Sequence, residues 1–201
     1  YLSSLAAAAK VKGFQSPNES GYPAVAACVK HFAGYGFVEG GRDYDTTDMS
    51  ERTLRETVLP PFAHGIRAGA MSVMSAFSEL NGVPASGSRY LLRDILKEEW
   101  AFDGIVVSDW ESIEELIHHG YAEDRRDSAL KGLAAGVDMD MHSGVYLDHL
   151  ESIIAEHPEM MELLDDAVLR ILKVKFRLGL FENHYVSEDD PEEIGIPAAH
   201  L

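Results

Sequence analysis

Four short apolar runs constrain this chain most: residues 24–29, 71–76, 104–107 and 136–139. Continuous rather than alternating apolarity marks strands covered on both faces. The stretches between them carry helical spacing. Leu54, Val58, Phe62 and Ile66 recur every four residues across 50–67, where Pro60 and Pro61 are expected to kink or break the helix. Leu91, Leu92, Ile95, Leu96 and Trp100 mark one face of 88–101, with Ser88 as its N-cap. A third pattern covers 123–135, and a last helix over 162–178 stops at Gly179, a good capping residue. The Ala-rich opening, 2–11, reads as helix. Strand and helix in alternation mean parallel strands joined by right-handed crossovers. A doubly wound sheet and a (β/α)8 barrel both satisfy that pattern. Four βα units are half a barrel, and a full one takes about 250 residues, more than the 201 here. The acidic, proline-containing end at 186–201, "VSEDDPEEIGIPAAHL", reads as a linker leaving a domain that occupies 1–185.

Composition narrows the partners. The chain carries 34 acidic against 17 basic residues, a net charge of -17. Such a surface repels nucleic acid and anionic membranes, whereas a neutral ligand such as a sugar meets no such penalty. No apolar stretch approaches the ~20 residues of a membrane span. The single cysteine, Cys28, excludes an internal disulfide and a paired-cysteine metal or redox site, and its apolar surroundings suggest a small buried hydrophobe. The nine histidines show no metal-ligand spacing, and His118–His119 reads as an exposed helix end. No cofactor motif is present: the glycine-rich loop 34–50 lacks the Gly-Lys-Ser/Thr of a phosphate loop. No leader peptide is visible, and a start at Tyr1 suggests a fragment.

In a parallel barrel the chemistry gathers where strands end. The first run leads to Lys30 and His31, the second to Ser75, Phe77, Ser78 and Glu79, the third to Asp109 and Trp110, and the fourth to Asp138, Asp140 and Met141. Each residue has a plain reading. Asp109 suits an N-cap for the following helix as well as it suits a reacting carboxylate. Trp110 is either core or a flat apolar platform for a sugar ring. Lys30 and His31 are a rim lysine and a core histidine, or a pair that donates hydrogen bonds to sugar hydroxyls. Lys30 as a Schiff-base lysine, on the pattern of barrel aldolases, is a further reading.

Six stretches carry a resemblance: "KHFAGYG" (30–36), "GGRDYDTTDMS" (40–50), "SVMSAFSELNGVPASG" (72–87), "LLRDILKEEWAFDGIVVSDW" (91–110), "AAGVDMDM" (134–141) and "ILKVKFRLGLFE" (171–182). In this order and spacing the chain resembles glycoside hydrolase family 3, in particular its periplasmic β-glucosidases. The resemblance implies a fold, the second half of a (β/α)8 TIM-like barrel. It also implies roles. Asp109 would be the nucleophile, Lys30 and His31 would hold sugar hydroxyls, and Trp110 would shape the leaving-group subsite. Met74, Phe77 and Met141 fall in matching substrate-binding segments. A tyrosine is common where Phe77 stands, so one hydroxyl contact is missing. The absence of histidine from 34–50 argues against the family's N-acetylglucosaminidase branch.

The chemistry so implied is retaining hydrolysis of terminal β-D-glucosyl residues, with a β-xylosidase as alternative. A second carboxyl group, ~5 Å from the nucleophile, would protonate the leaving oxygen. The resemblance places it in a sandwich domain beyond Leu201. By the same resemblance, early barrel strands with an aspartate and an arginine would precede Tyr1, and the location would be periplasmic or secreted. The partners expected are a β-glucoside or oligosaccharide and the remainder of the polypeptide. Without that remainder the chain is expected to be a catalytically incomplete carbohydrate-binding fragment.

Overall fold

The computed structural model describes residues 1–18 and 20–185; the expected linker at 186–201 lies outside the described residues. Three parallel strands form the central sheet, β1 (Cys28–Phe32), β3 (Ser72–Ser75) and β6 (Ile105–Val107), in the order β1-β3-β6. Val29 lies opposite Val73, Val73 opposite Val106, and Met74 opposite Val107. These are the parallel βα units that the apolar runs and helical patterns predict. The first strand begins four residues later than its apolar run, so Lys30 and His31 belong to the strand itself.

The fourth apolar run is not a full strand. It contributes a single parallel bridge, Met139 to Val107. The cause lies in the competing hydrogen bonds. The Val106 N–H donates to Oδ2 of Asp138 at 2.8 Å, and the Val137 carbonyl accepts from the Tyr146 hydroxyl at 2.9 Å. Side chains thus take the backbone groups that a longer ladder would use.

A smaller sheet comprises β2 (Thr46–Thr47), β4 (Glu79–Leu80) and β5 (Val83–Pro84), in the order β2-β4-β5. β4 and β5 are antiparallel, joined at Asn81 and Gly82, both with positive φ. Asn-Gly at such a two-residue connection favours the primed turn that matches strand twist.

Helices cover the central sheet. α1 (Leu2–Phe14) and α3 (Leu59–Arg67) pack together over the Val29 face of β1. Pro60 and Pro61 do not break the helical path. They occupy the first turn of α3, where their missing N–H groups are not needed. A wide turn, Leu54–Val58, leads from α2 (Glu51–Thr53) into α3, and its Leu59 N–H reaches back to the Leu54 carbonyl. The helix Tyr90–Glu99 has the same wide winding, and the Ser88 hydroxyl accepts from the Leu91 N–H at 3.3 Å, as a cap should. α4 (Arg125–Ala135) is capped by Asp124 and stops at Gly136, whose φ of 112 suits glycine. α5 (Val145–Glu156) carries no sequence expectation, and α6 (Met161–Arg177) ends as the Gly179 signal predicts.

The main core gathers Phe32, Val73, Val106, Leu91, Leu92, Ile95, Leu96, Phe102, Ile113 and Leu116, all buried. Cys28 is corrected: it is exposed. Alternation along β1 turns Val29 toward Gly65 of α3 and leaves Cys28 and Lys30 on the uncovered face. Beneath the sheet lies one ion pair with almost no access to water. Lys97 Nζ donates to Asp138 Oδ1 at 2.6 Å, with side chains 6% and 2% exposed. Burial pushes the Lys97 amine down and the Asp138 carboxyl up, against their mutual attraction.

Candidate active site

The end of β6 is pinned by backbone and hydroxyl bonds. The Ser108 N–H donates to the Met139 carbonyl at 2.9 Å, and the Ser108 hydroxyl accepts from the Met141 N–H at 2.7 Å. Asp109 follows. Its side chain does not cap a helix in the usual way: Oδ1 accepts from the adjacent Trp110 N–H at 2.7 Å, and the Ser112 N–H goes to the Asp109 main-chain carbonyl. Oδ2 lies 3.4 Å from Nε2 of His31. Asp109 is 8% exposed. The carboxylate is therefore held from one side by backbone and from the other by a strand histidine.

Below it runs a buried chain of hydroxyls. Ser75 meets Ser86 at 2.7 Å, and Ser86 meets Ser112 at 2.7 Å. This ties the end of β3 to the segment that carries Asp109.

Parallel pairing of β1, β3 and β6 sets Lys30, His31 and Asp109 at the same end of the sheet. Lys30 is exposed and makes no ion pair among the described residues; a Schiff-base lysine needs a desolvated amine, which this setting does not provide. The rings of His31 and Tyr35 are 5.2 Å apart, Tyr35 and Phe77 6.3 Å, and Phe77 and Tyr44 4.3 Å. These four form an aromatic wall that links Phe77 to His31. The Tyr35 hydroxyl donates to the Asp43 carboxylate. Trp110 is 53% exposed and stacks on His142. Met141 is half-buried and touches the site through its bond to Ser108. Met74 is buried in the ladder opposite Val107. A cavity of about 500 Å³ opens between Lys30, His31, Tyr35, Phe37 and Phe62, beside the aspartate rather than around it.

Several residues here escaped the sequence patterns. Glu115 is half-buried. Burial raises its carboxyl above the ordinary range, and the charges of Glu111, Asp109 and Asp43 add to this against His118. Burial also raises the Tyr44 hydroxyl, reinforced by Glu115, Asp43, Asp109 and Glu111. That shift moves Glu115 toward the protonated form, the direction proton donation requires. Glu111 and Asp109 precede Glu115 in the same segment, but the burial that raises its carboxyl and the approach of Asp43 from another loop leave no spacing signal. Among the described residues no group of three or more His, Cys, Asp or Glu side chains gathers to hold a metal ion, and no helix is long and apolar enough to cross a membrane.

Burial depresses the His31 imidazole below its ordinary 6.5; Asp109 opposes that shift, Lys30 adds to it, and Asp43 opposes it. Because the folded value lies below the unfolded one, the neutral ring's contribution to stability is complete above pH 6.5 and is lost as pH falls through the folded value. Proton NMR of the imidazole should therefore give a His31 midpoint below 6.5, and Asp109→Asn should lower it further by removing the attracting carboxylate. A midpoint that rises in Asp109→Asn would contradict the geometry.

Known proteins resemble this chain in sequence and in fold. The sequence profile of the glycosyl hydrolase family 3 N terminal domain matches residues 1–174. A periplasmic beta-glucosidase of Salmonella typhimurium is 43% identical over 95% of this chain and 26% of its own length. A beta-xylosidase of Formosa agariphila is 40% identical over 90% of the chain and 27% of its own length. The crystal structure of a beta-glucosidase from Listeria innocua in complex with glucose superposes with a TM-score of 0.90 at 41% identity, covering 96% of this chain and 27% of that one. The chain spans about a quarter of the length of these relatives. The profile covers most of the chain and the solved relative shares its fold, so the chain belongs to the glycosyl hydrolase family 3 N-terminal domains.

Proposed function

We propose that these residues are part of a longer retaining β-glucosidase in which Asp109 is the nucleophile. The observation that carries this reading is the Asp109 carboxylate, nearly buried at a strand end, 3.4 Å from His31 and beside an exposed indole. Asp109 attacks the anomeric carbon, the glycosidic oxygen leaves, and a glycosyl ester forms. Water then cleaves the ester with retention. His31, held neutral, and Lys30 hold the sugar hydroxyls, and Trp110 packs against the leaving-group side. Met74, Phe77 and Met141 complete the substrate walls. The general acid, by resemblance, comes from a following domain, with residues 186–201 as the connection. The chain by itself is then a sugar-binding piece with little hydrolysis. The relationship to a periplasmic enzyme favours a periplasmic location.

The test is covalent trapping in the longer polypeptide. A 2-deoxy-2-fluoro-β-glucoside with a good leaving group should inactivate it and leave a fluoroglucosyl ester on Asp109, found by peptide mass mapping. An ester on another carboxylate, or no ester, would sink the assignment. The 40% identity to a beta-xylosidase supports a second reading. The ratio of kcat/KM for nitrophenyl glucoside and nitrophenyl xyloside separates the two.

A further inference from the structure

Glu111 and His142 sit in different loops, one after β6 and one after the Met139 bridge, yet they are bonded to each other. His142 Nδ1 lies 2.7 Å from Glu111 Oε1. Both residues have left-handed backbone, φ 57 at Glu111 and φ 77 at His142. Glycine would adopt either position without strain, so the chain keeps these side chains at a conformational cost. Stability does not account for them. The pair is 53% and 41% exposed, and such surface pairs contribute little.

The indole of Trp110 offers an account. It stacks on the His142 ring at 3.9 Å with an interplanar angle of 19°. Trp110 is still 53% exposed, so one face is held while much of its surface remains available. The loops are further joined by the Glu111 N–H, which donates to the Met141 carbonyl at 2.9 Å. The Trp110 N–H in turn donates to Asp109. Aromatic platforms bind sugar rings through apolar C–H faces, and a platform that is already fixed loses less entropy on binding.

We propose that His142, oriented by Glu111, is a positioning residue that fixes the Trp110 indole as the platform for the second sugar ring of a disaccharide. This rests on the sugar-site reading above. Glucose fills the subsite at Asp109 and does not need the platform; cellobiose reaches it.

The test uses the longer polypeptide with Asp109→Ala, so that cellobiose is not hydrolysed. The indole N–H resonances of Trp100 and Trp110 are assigned with Trp100→Phe and Trp110→Phe, and their ¹⁵N relaxation is measured. In His142→Ala the Trp110 indole should become mobile while Trp100 stays rigid. Cellobiose affinity, measured by NMR titration, should fall about two- to tenfold, the scale of one aromatic pair, with glucose affinity unchanged. His142→Phe, which retains the stack, should restore both. An indole as rigid in His142→Ala as in the unaltered protein would overturn the inference, and so would unchanged cellobiose affinity. If the longer polypeptide with His142 in place binds neither sugar, the sugar-site reading fails and takes the platform role with it. The two failures are distinct, because indole mobility is read without any sugar.

Discussion

Asp109→Ala in the longer polypeptide should lower turnover of nitrophenyl β-glucoside by about 10⁴-fold or more, the scale on which enzymes feel the loss of a covalent nucleophile. The fold should survive. The Asp109 carboxylate bonds only the neighbouring Trp110 N–H and approaches His31, whereas the strand end is held independently by Ser108, Met139 and Met141. Azide should restore part of the activity by attacking the space vacated by the carboxylate, and should give the opposite anomer as glycosyl azide. A variant with near-native turnover, or a loss that tracks unfolding by circular dichroism, would refute the nucleophile role.

Asp138→Ala should act on the other axis and destabilise the chain by about 3–5 kcal/mol, against a total of about 5–15 kcal/mol for a typical domain. Its carboxylate answers two buried donors, Lys97 Nζ at 2.6 Å and the Val106 N–H at 2.8 Å. Alanine leaves the Val106 N–H without its acceptor, and leaves the Lys97 cation, its side chain only 6% exposed, with Asp166 at 3.8 Å as its remaining carboxylate. Adding Lys97→Met removes that cation and should recover much of the loss, because an apolar chain of similar length tolerates the same surroundings. Urea unfolding of the single and double variants decides the matter. Equal losses in both would mean that the ion pair is not where the cost arises.

The central strands were legible because each lies within or overlaps a mainly apolar run, and helix ends were legible where Ser88 and Gly179 stand. The fourth run misled because apolarity does not reveal that the Asp138 carboxylate and the Tyr146 hydroxyl occupy its ladder groups. α5 was readable in the spacing of Tyr146, Leu150, Ile153 and Ile154, which pack on the core, but no strand-like run or cap signal drew attention to it. The hairpin at Asn81-Gly82 carried a readable turn signal that a search for apolar runs passes over. At the site, Asp109 with Lys30 and His31 stood out as strand-end polar residues. Glu115, Tyr44 and the Glu111–His142 pair did not, since their environments arise only when separate loops meet.

The order of the central sheet has a consequence for synthesis. Val29 must wait for Val73 before the two strands can pair, and Val73 for Val106 before its second edge is paired. No hairpin links these strands; the local antiparallel pair, Leu80 with Val83, belongs to the other sheet. Closing such distant contacts slows folding, and the cost is met before the pairing rewards it. A chain emerging from the ribosome at about 5–20 residues per second therefore carries the edge of Val29 and Phe32 that faces β3 unpaired for seconds. During that interval the apolar segment that later supports Lys30 and His31 is open to pairing with other chains, and a holding chaperone would find its first target there.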